Sequence, residues 1–218
     1  TINGTINGDA LLMGEMVVVS DSAVINGNLF IAGGDLTMNG KVTGSVFSGS
    51  AELNVGSMAE VSRNFYYGGF SLKTGDGSKV GRDLFAAGFQ TLLSGDIERD
   101  LSVAAAAIEL DGNIGRNALL DVGNIDESGE ASSYFYFNPS ISRYVDQVVE
   151  PGIRVSDAAN VGGVLTYTSS LNINTELETV TSGQVVYQTP VPYESRDPRL
   201  TNRGEVKDFS RRDVGSFL

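Results

Sequence analysis

Val80-Gly81-Arg82-Asp83-Leu84 returns as Ile97-Glu98-Arg99-Asp100-Leu101 and again as Ile114-Gly115-Arg116-Asn117-Ala118, each time 17 residues on. Outward from there the same phrase runs through most of the chain. A branched aliphatic opens each unit, at Ile6, Val24, Val42, Val61, Val80, Ile97 and Ile114, in steps of 17 to 19 residues. Four residues later, five in the second unit, stands another core-type side chain: Leu29, Val46, Phe65, Leu84, Leu101. A pair at alternate positions then closes the unit, as in Val17/Val19, Leu36/Met38, Leu53/Val55 and Ile108/Leu110. A fixed period of this size predicts a solenoid whose repeats stack on their neighbours.

Inside each unit the apolar residues alternate, which is the strand period and not the helical one. Gly, Asn, Asp and Ser fall between the alternating runs and supply turns. A helical solenoid needs repeats of about 33–47 residues and less glycine. The sequence therefore predicts an all-β fold, a parallel three-sided β-helix with three short strands per coil. It would have about nine coils at about 4.8 Å each.

The β-helix occupies residues 1–189. Val161 stands 47 residues after Ile114, a step read as two coils carrying about ten extra residues within 125–152. There Tyr134-Phe135-Tyr136-Phe137 would be a strand, Asn138-Pro139 would begin the loop, and Ile153-Arg154-Val155 would resume the coil. Val161–Tyr167 opens a further coil, and Ser182–Tyr187 forms the last strand. Residues 190–218, with Pro190, Pro192 and Pro198 and many charges, read as an extended tail or linker.

Composition narrows the chemistry. The net charge is −12, and residues 1–189 hold 9 basic against 22 acidic side chains. Such an array repels phosphate backbones, so nucleic acid is not an expected partner. The absence of Cys and His excludes disulfides, thiolate metal sites and imidazole catalysis. No cofactor and no metal are expected.

The units at Val80, Ile97 and Ile114, with Gly33-Gly34-Asp35-Leu36-Thr37-Met38-Asn39-Gly40, resemble the bactofilins, the polymer-forming cytoskeletal proteins. The likeness covers residues 1–189 apart from 125–152, and the array is longer than the compact bactofilin core. The resemblance implies a right-handed β-helix that polymerises end to end without nucleotide. Val161–Tyr167, with the Pro-rich tail after it, looks like a membrane-anchored branch of that family. It implies a membrane-associated, cell-envelope location on the extracytoplasmic side, with the membrane reached through a segment beyond the tail. Thr1 falls in mid-phrase and Phe217-Leu218 turn apolar. Both suggest that the natural chain continues in either direction.

Three groups of residues are candidate sites. Open coil ends, marked by Ile2 and Ile6, are templates for another strand. If Leu29, Val46, Phe65 and Leu84 point inward, then Phe30, Phe47, Tyr66 and Phe85 point outward and form an apolar stripe, the mark of a partner surface. Arg63, Arg82, Arg99 and Arg116 form a ladder that could hold an anionic polymer. Asp83 and Asp100 beside it favour a solvated ladder of weak ion pairs instead. No amphipathic capping helix is visible. Asp96, Glu98, Asp100 and Asp111 are the nearest approach to a carboxylate site. Coils this lean build no cleft, so enzymatic activity is not expected.

The leading expectation is a structural, polymer-forming scaffold of the cell envelope that assembles through its ends or lateral faces. Its partner is itself or another envelope protein. The alternative is an extracytoplasmic binding module for a protein or glycan.

Overall fold

The computed structural model describes residues 1–123, 143–145 and 147–191. Tyr134–Phe137, Asn138-Pro139 and nearly all of the tail lie outside these residues. The described chain is a β-solenoid of about 9 stacked coils. Each regular coil has one short strand and one long one. The short strands are β1 (Thr5–Asn7), β3 (Val24–Asn26), β5 (Lys41–Val42), β7 (Glu60–Val61), β9 (Lys79–Val80), β11 (Asp96–Ile97), β13 (Asn113–Ile114) and β16 (Asn160–Val161). They form one parallel sheet in that order, and Thr181 extends it by a bridge to Val161. The long strands β2 (Ala10–Val19), β4 (Leu29–Met38), β6 (Val46–Val55), β8 (Phe65–Thr74), β10 (Leu84–Leu93) and β12 (Leu101–Leu110) form the second sheet. Beyond β12 that sheet continues through β14 (Ala118–Asp121), β17 (Leu165–Thr168) and β18 (Val185–Gln188).

The third side is made differently from the expectation of three separate strands. The ten-residue strands turn two pairs of residues inward, Leu29/Ile31 and Leu36/Met38 in β4, on either side of a short central stretch; all are buried except Leu12 in β2 and Ser48 in β6, which are half-buried. Small residues occupy that stretch (Gly33-Gly34, Gly49-Ser50-Ala51, Gly68-Gly69, Gly88), and the ladder skips only one or two residues there as the ribbon turns the corner. Two of the three sides are thus limbs of one strand. Val42, Val61 and Val80 are direct vertical neighbours. The closing pairs at Val17/Val19, Leu36/Met38, Leu53/Val55 and Ile108/Leu110 are all buried.

One register assignment changes. Ile6 pairs with Ile25, not Val24, and Ile25 is the residue fully inside. With Ile25 as opener the second unit also has its next core residue four positions on, and its five-residue exception disappears. A one-residue slip exchanges the faces of a strand, so burial decides between two adjacent aliphatics.

The long interval after Ile114 is also built differently. Ile114 pairs directly with Val161, so this 47-residue step makes one coil and not two. β14 is the first limb of that coil, and β15 (Gly152–Val155), which pairs with β12, is its second. Ile153–Val155 does resume the coil. The extra chain, roughly thirty residues against the 17-residue spacing of neighbouring coils, is inserted at the corner. Both limbs keep their partners there, which makes the corner the place where an insertion costs least pairing. The returning chain runs along the corner. The Tyr144 hydroxyl donates to Glu15 Oε1 (3.1 Å), and Val145 packs with Phe70 and Phe89. Gln90 donates to the Gln147 carbonyl (2.8 Å) and accepts from the Val149 amide (3.0 Å).

A short helix, α1 (Asn174–Thr179), replaces the second limb of the next coil and buries Leu177. It is the amphipathic element near the C-terminal end that the sequence reading did not find. Six residues with one buried leucine give too short a periodic signal to stand out.

The core is not wholly apolar. Tyr67 is buried in the inward column, and its hydroxyl donates to the Ser71 carbonyl (2.8 Å). Burial pushes its pKa up to about 12. The unfolded phenol ionises near 10, so this contribution to stability is present below about pH 10 and lost as pH rises through 12. Urea unfolding should therefore show stability falling between pH 10 and 12, by on the order of 2 kcal/mol from this group. Tyr67→Phe should flatten that fall, and an unchanged slope would count against the assignment.

Candidate functional site: an aromatic ridge beside a small-residue groove

Alternation along the first limb sets two outward columns. In β4, Leu29 and Ile31 face in, so Phe30 and Ala32 face out. Register carries this to the neighbouring coils. Phe30, Phe47, Tyr66 and Phe85 are direct cross-strand partners. Their rings stack with centroids 4.9, 4.9 and 5.1 Å apart and planes within 8° of parallel. Phe30, Phe47 and Phe85 are each close to 40% exposed, and Tyr66 is half-buried. Asn64 Nδ2 donates to the Tyr66 hydroxyl (2.9 Å).

Two residues beyond each ring lies the second column, made of Ala32, Gly49, Gly68, Ala87 and Ala104. Small side chains beside large ones leave an open groove of about 910 Å³ along the solenoid axis. Leu11 and Met13, both 72% exposed, extend the two columns into the first coil, and Leu119 extends the ridge at the other end. Between the first and sixth coils neither column carries a charge, and Asp121 in the seventh is the first one met. The ring residues are those that the alternation identifies. The groove was missed because alanine and glycine carry no signal alone, and Leu11 because the same count was not extended to the first unit.

The open ends are as follows. Ile2 and Ile6 are half-buried and pack against the first coil, with Ile2 bridged to Val19. β2 and β18 are the terminal strands of their sheet. Leu11, Met13 and Met16, all within β2, are each at least 70% exposed.

The arginine ladder is real and tied to a second ladder that the sequence reading did not resolve. The residue before each long strand is usually Asp or Asn, and its side-chain oxygen accepts the amide of the equivalent residue one coil on. Asp9 accepts from Asn28 (2.7 Å), Asn28 from Ser45 (2.9 Å), Asp100 from Asn117 (3.1 Å) and Asn117 from Val164 (3.0 Å). Asp83 and Asp100 also meet the arginine of the next coil, with Arg99 at 3.3 Å and Arg116 at 3.5 Å. Arg63 and Arg82 are exposed on the same column. With half of its charge paired along the column, the ladder binds coil to coil and offers an anionic polymer little.

The acidic residues are dispersed in the same way. Asp96 accepts from Asn113 (2.8 Å), Asp111 takes a short hydrogen bond from Ser156, and Glu98 is exposed. Among the described residues no group of three or more His, Cys, Asp or Glu could hold a metal. No helix among them is long and apolar enough to cross a membrane.

Fold and surface together define a lean parallel β-solenoid with one aromatic face. Comparison with protein-family models, curated proteins and solved structures found no match.

Proposed function

We propose that this protein is a structural, self-assembling β-solenoid that grows through its coil ends without nucleotide, a scaffold of the bactofilin type at a cell envelope. The observation that carries the reading is the state of the first coil. β2 ends its sheet, and three of its own outward side chains, Leu11, Met13 and Met16, are at least 70% exposed at the rim of that end. Ile2 pairs only with the C-terminal end of that edge, at Val18–Ser20, and among the described residues no strand pairs with the rest, which leaves a parallel edge with apolar side chains at its rim as a template for another strand. β18, the opposite end of that sheet, is a parallel edge of the same kind, so a second copy can continue the sheet head to tail. Such a contact is heterologous and does not close, which gives a filament. α1 stands beside the last coil without replacing β18, and so leaves that edge in place.

Sedimentation velocity and negative-stain microscopy of the purified chain test this. Mass should rise with concentration towards filaments. Ile2→Lys with Ile6→Lys, which puts charge at the first coil, should stop growth. Growth unaffected by that pair removes end stacking as the mechanism.

A binding module is the second reading, supported by the 910 Å³ groove. Its lining favours an apolar partner over a glycan. The rings stack on one another, so the ridge shows solvent their edges, while a sugar packs on an open ring face.

A further inference from the structure

The uncharged face can be covered by its own kind in one way. Its outer column carries the rings of Phe30, Phe47, Tyr66 and Phe85, and its inner column carries Ala32, Gly49, Gly68 and Ala87 on the same four coils. Two copies that close face to face are related by a two-fold axis in the plane between them. An axis running across the coils reverses their order and leaves the columns in place, so ridge meets ridge and the rings hold the copies apart. An axis running along the solenoid keeps the coil order and exchanges the columns. With that axis midway between the columns, Phe30 lies opposite the partner's Ala32 and Phe47 opposite the partner's Gly49. Tyr66 lies opposite the partner's Gly68, and Phe85 opposite the partner's Ala87. Ridge then enters groove on all four coils.

We propose that this face pairs with a second copy of the chain, two solenoids lying parallel with each ridge seated in the other's groove. Stacks of side chains on in-register parallel strands interdigitate in this manner in dry zippers between paired sheets. The contact is isologous and closes at two. Both first coils come to the same end, so growth at the coil ends extends the pair as a two-stranded filament. The two central glycines support the pairing independently. A Cβ at Gly68 would meet nothing within 4 Å, and one at Gly49 only the Gly68 carbonyl oxygen at 3.8 Å. Neither has a positive φ. The coil has room for side chains there, and glycine inside a strand weakens it unless something approaches closely. A ring arriving from outside uses the space they leave.

Charge and area point to the same occupant. The chain carries a net charge of −12, so two copies repel wherever acidic surfaces meet, and this face is the neutral approach. Close contact runs from the second coil to the sixth. At the first coil Leu11 would face the partner's Met13, large on large, and at the seventh Leu119 would face the partner's Asp121. Five coils by one limb give a flat footprint of about 320 Å² per copy, from spacings of about 4.8 Å and 3.3 Å. Interdigitation brings the accessible surface buried by the pair towards about 1,000 Å², the small end of specific interfaces. The isolated dimer is accordingly reversible, with a dissociation constant on the order of 10–100 µM. Along a filament the contact repeats with every added copy, and its strength multiplies.

The proposal takes from the filament reading only that repetition, and the experiment separates the two. In the Ile2→Lys/Ile6→Lys background, sedimentation from about 5 to about 500 µM should reveal a monomer–dimer equilibrium. Adding Gly68→Val should weaken association at least about tenfold by filling the seat of Tyr66, with the thermal midpoint unchanged or raised. Phe47→Ser should weaken it likewise from the other side. The chain has no Cys, so Leu11→Cys in the same background supplies a single thiol. A short bismaleimide should join two copies through it, because parallel pairing brings the first coils together. In filaments of the otherwise native chain, Gly68→Val should reduce the width from two solenoids to one. A monomer throughout, with filaments one solenoid wide, overturns the lateral pair and leaves end stacking standing. Discrete dimers of the native chain without filaments support the lateral pair and overturn end stacking. A dimer that survives Gly68→Val, or that the bismaleimide fails to join at Leu11→Cys, overturns the parallel pairing. A monomer whose midpoint falls in Gly68→Val overturns it too and assigns the groove to a segment of the same chain.

Discussion

Gly69→Ala destabilises the solenoid by about 3 kcal/mol or more, the upper end of overpacking costs, while Gly68→Ala one residue earlier leaves it folded. The two glycines sit side by side at the corner of β8 and differ only in what surrounds them. A Cβ on Gly69 would overlap the Ser50 carbonyl oxygen of the coil below and press on the Tyr67 ring. Neither can yield, because one is backbone held in the sheet and the other is wedged in the core. A Cβ on Gly68 points into the open groove. Urea midpoints of the two variants, at equal m-value, are the measurement. Equal midpoints would mean that coils at the corner are looser than the backbone positions imply. A Cβ on Gly33 or Gly112 would overlap the carbonyl of Gly14 or Gly95 in the same manner, so these corner and turn glycines are conditions of stacking.

Lys73→Met costs about 3 kcal/mol, as expected when a buried carboxylate loses its half-buried counter-ion. Glu52 lies inside the corner, 3% exposed, and the Lys73 ammonium reaches it from the next coil at 2.5 Å. Without Lys73 the carboxylate keeps its desolvation cost and loses its counter-ion. Glu52→Gln combined with Lys73→Met should recover most of the loss, since neither charge then remains to be compensated. A double-mutant cycle on chemical denaturation gives the coupling. A coupling near zero would show that water reaches Glu52 and that the pair contributes no more than an exposed one. The exposed pair Lys41–Glu60, at 2.7 Å on the outer face, is the comparison, with an expected effect below about 1 kcal/mol.

Period and alternation determined the solenoid, its strand direction and the inward columns. A sequence repeating every 17 to 19 residues with period-two burial has few other ways to hide its aliphatic side chains. They also determined the outward ridge, because Phe30, Phe47, Tyr66 and Phe85 follow core residues on consecutive units. Three features were decided by tertiary structure alone. The choice of Ile25 over Val24 depended on which of two adjacent aliphatics met Ile6 across the coil. The insertion counted as one coil because β14 and β15 each found their own partner on β12, a pairing no linear count contains. The groove took its shape from glycines and alanines on five strands, and absent side chains become a surface only when stacking aligns them. Repetition is a property of the chain and is written along it. Register and corner geometry are relations between coils, and they exist only once one turn of backbone rests on the next.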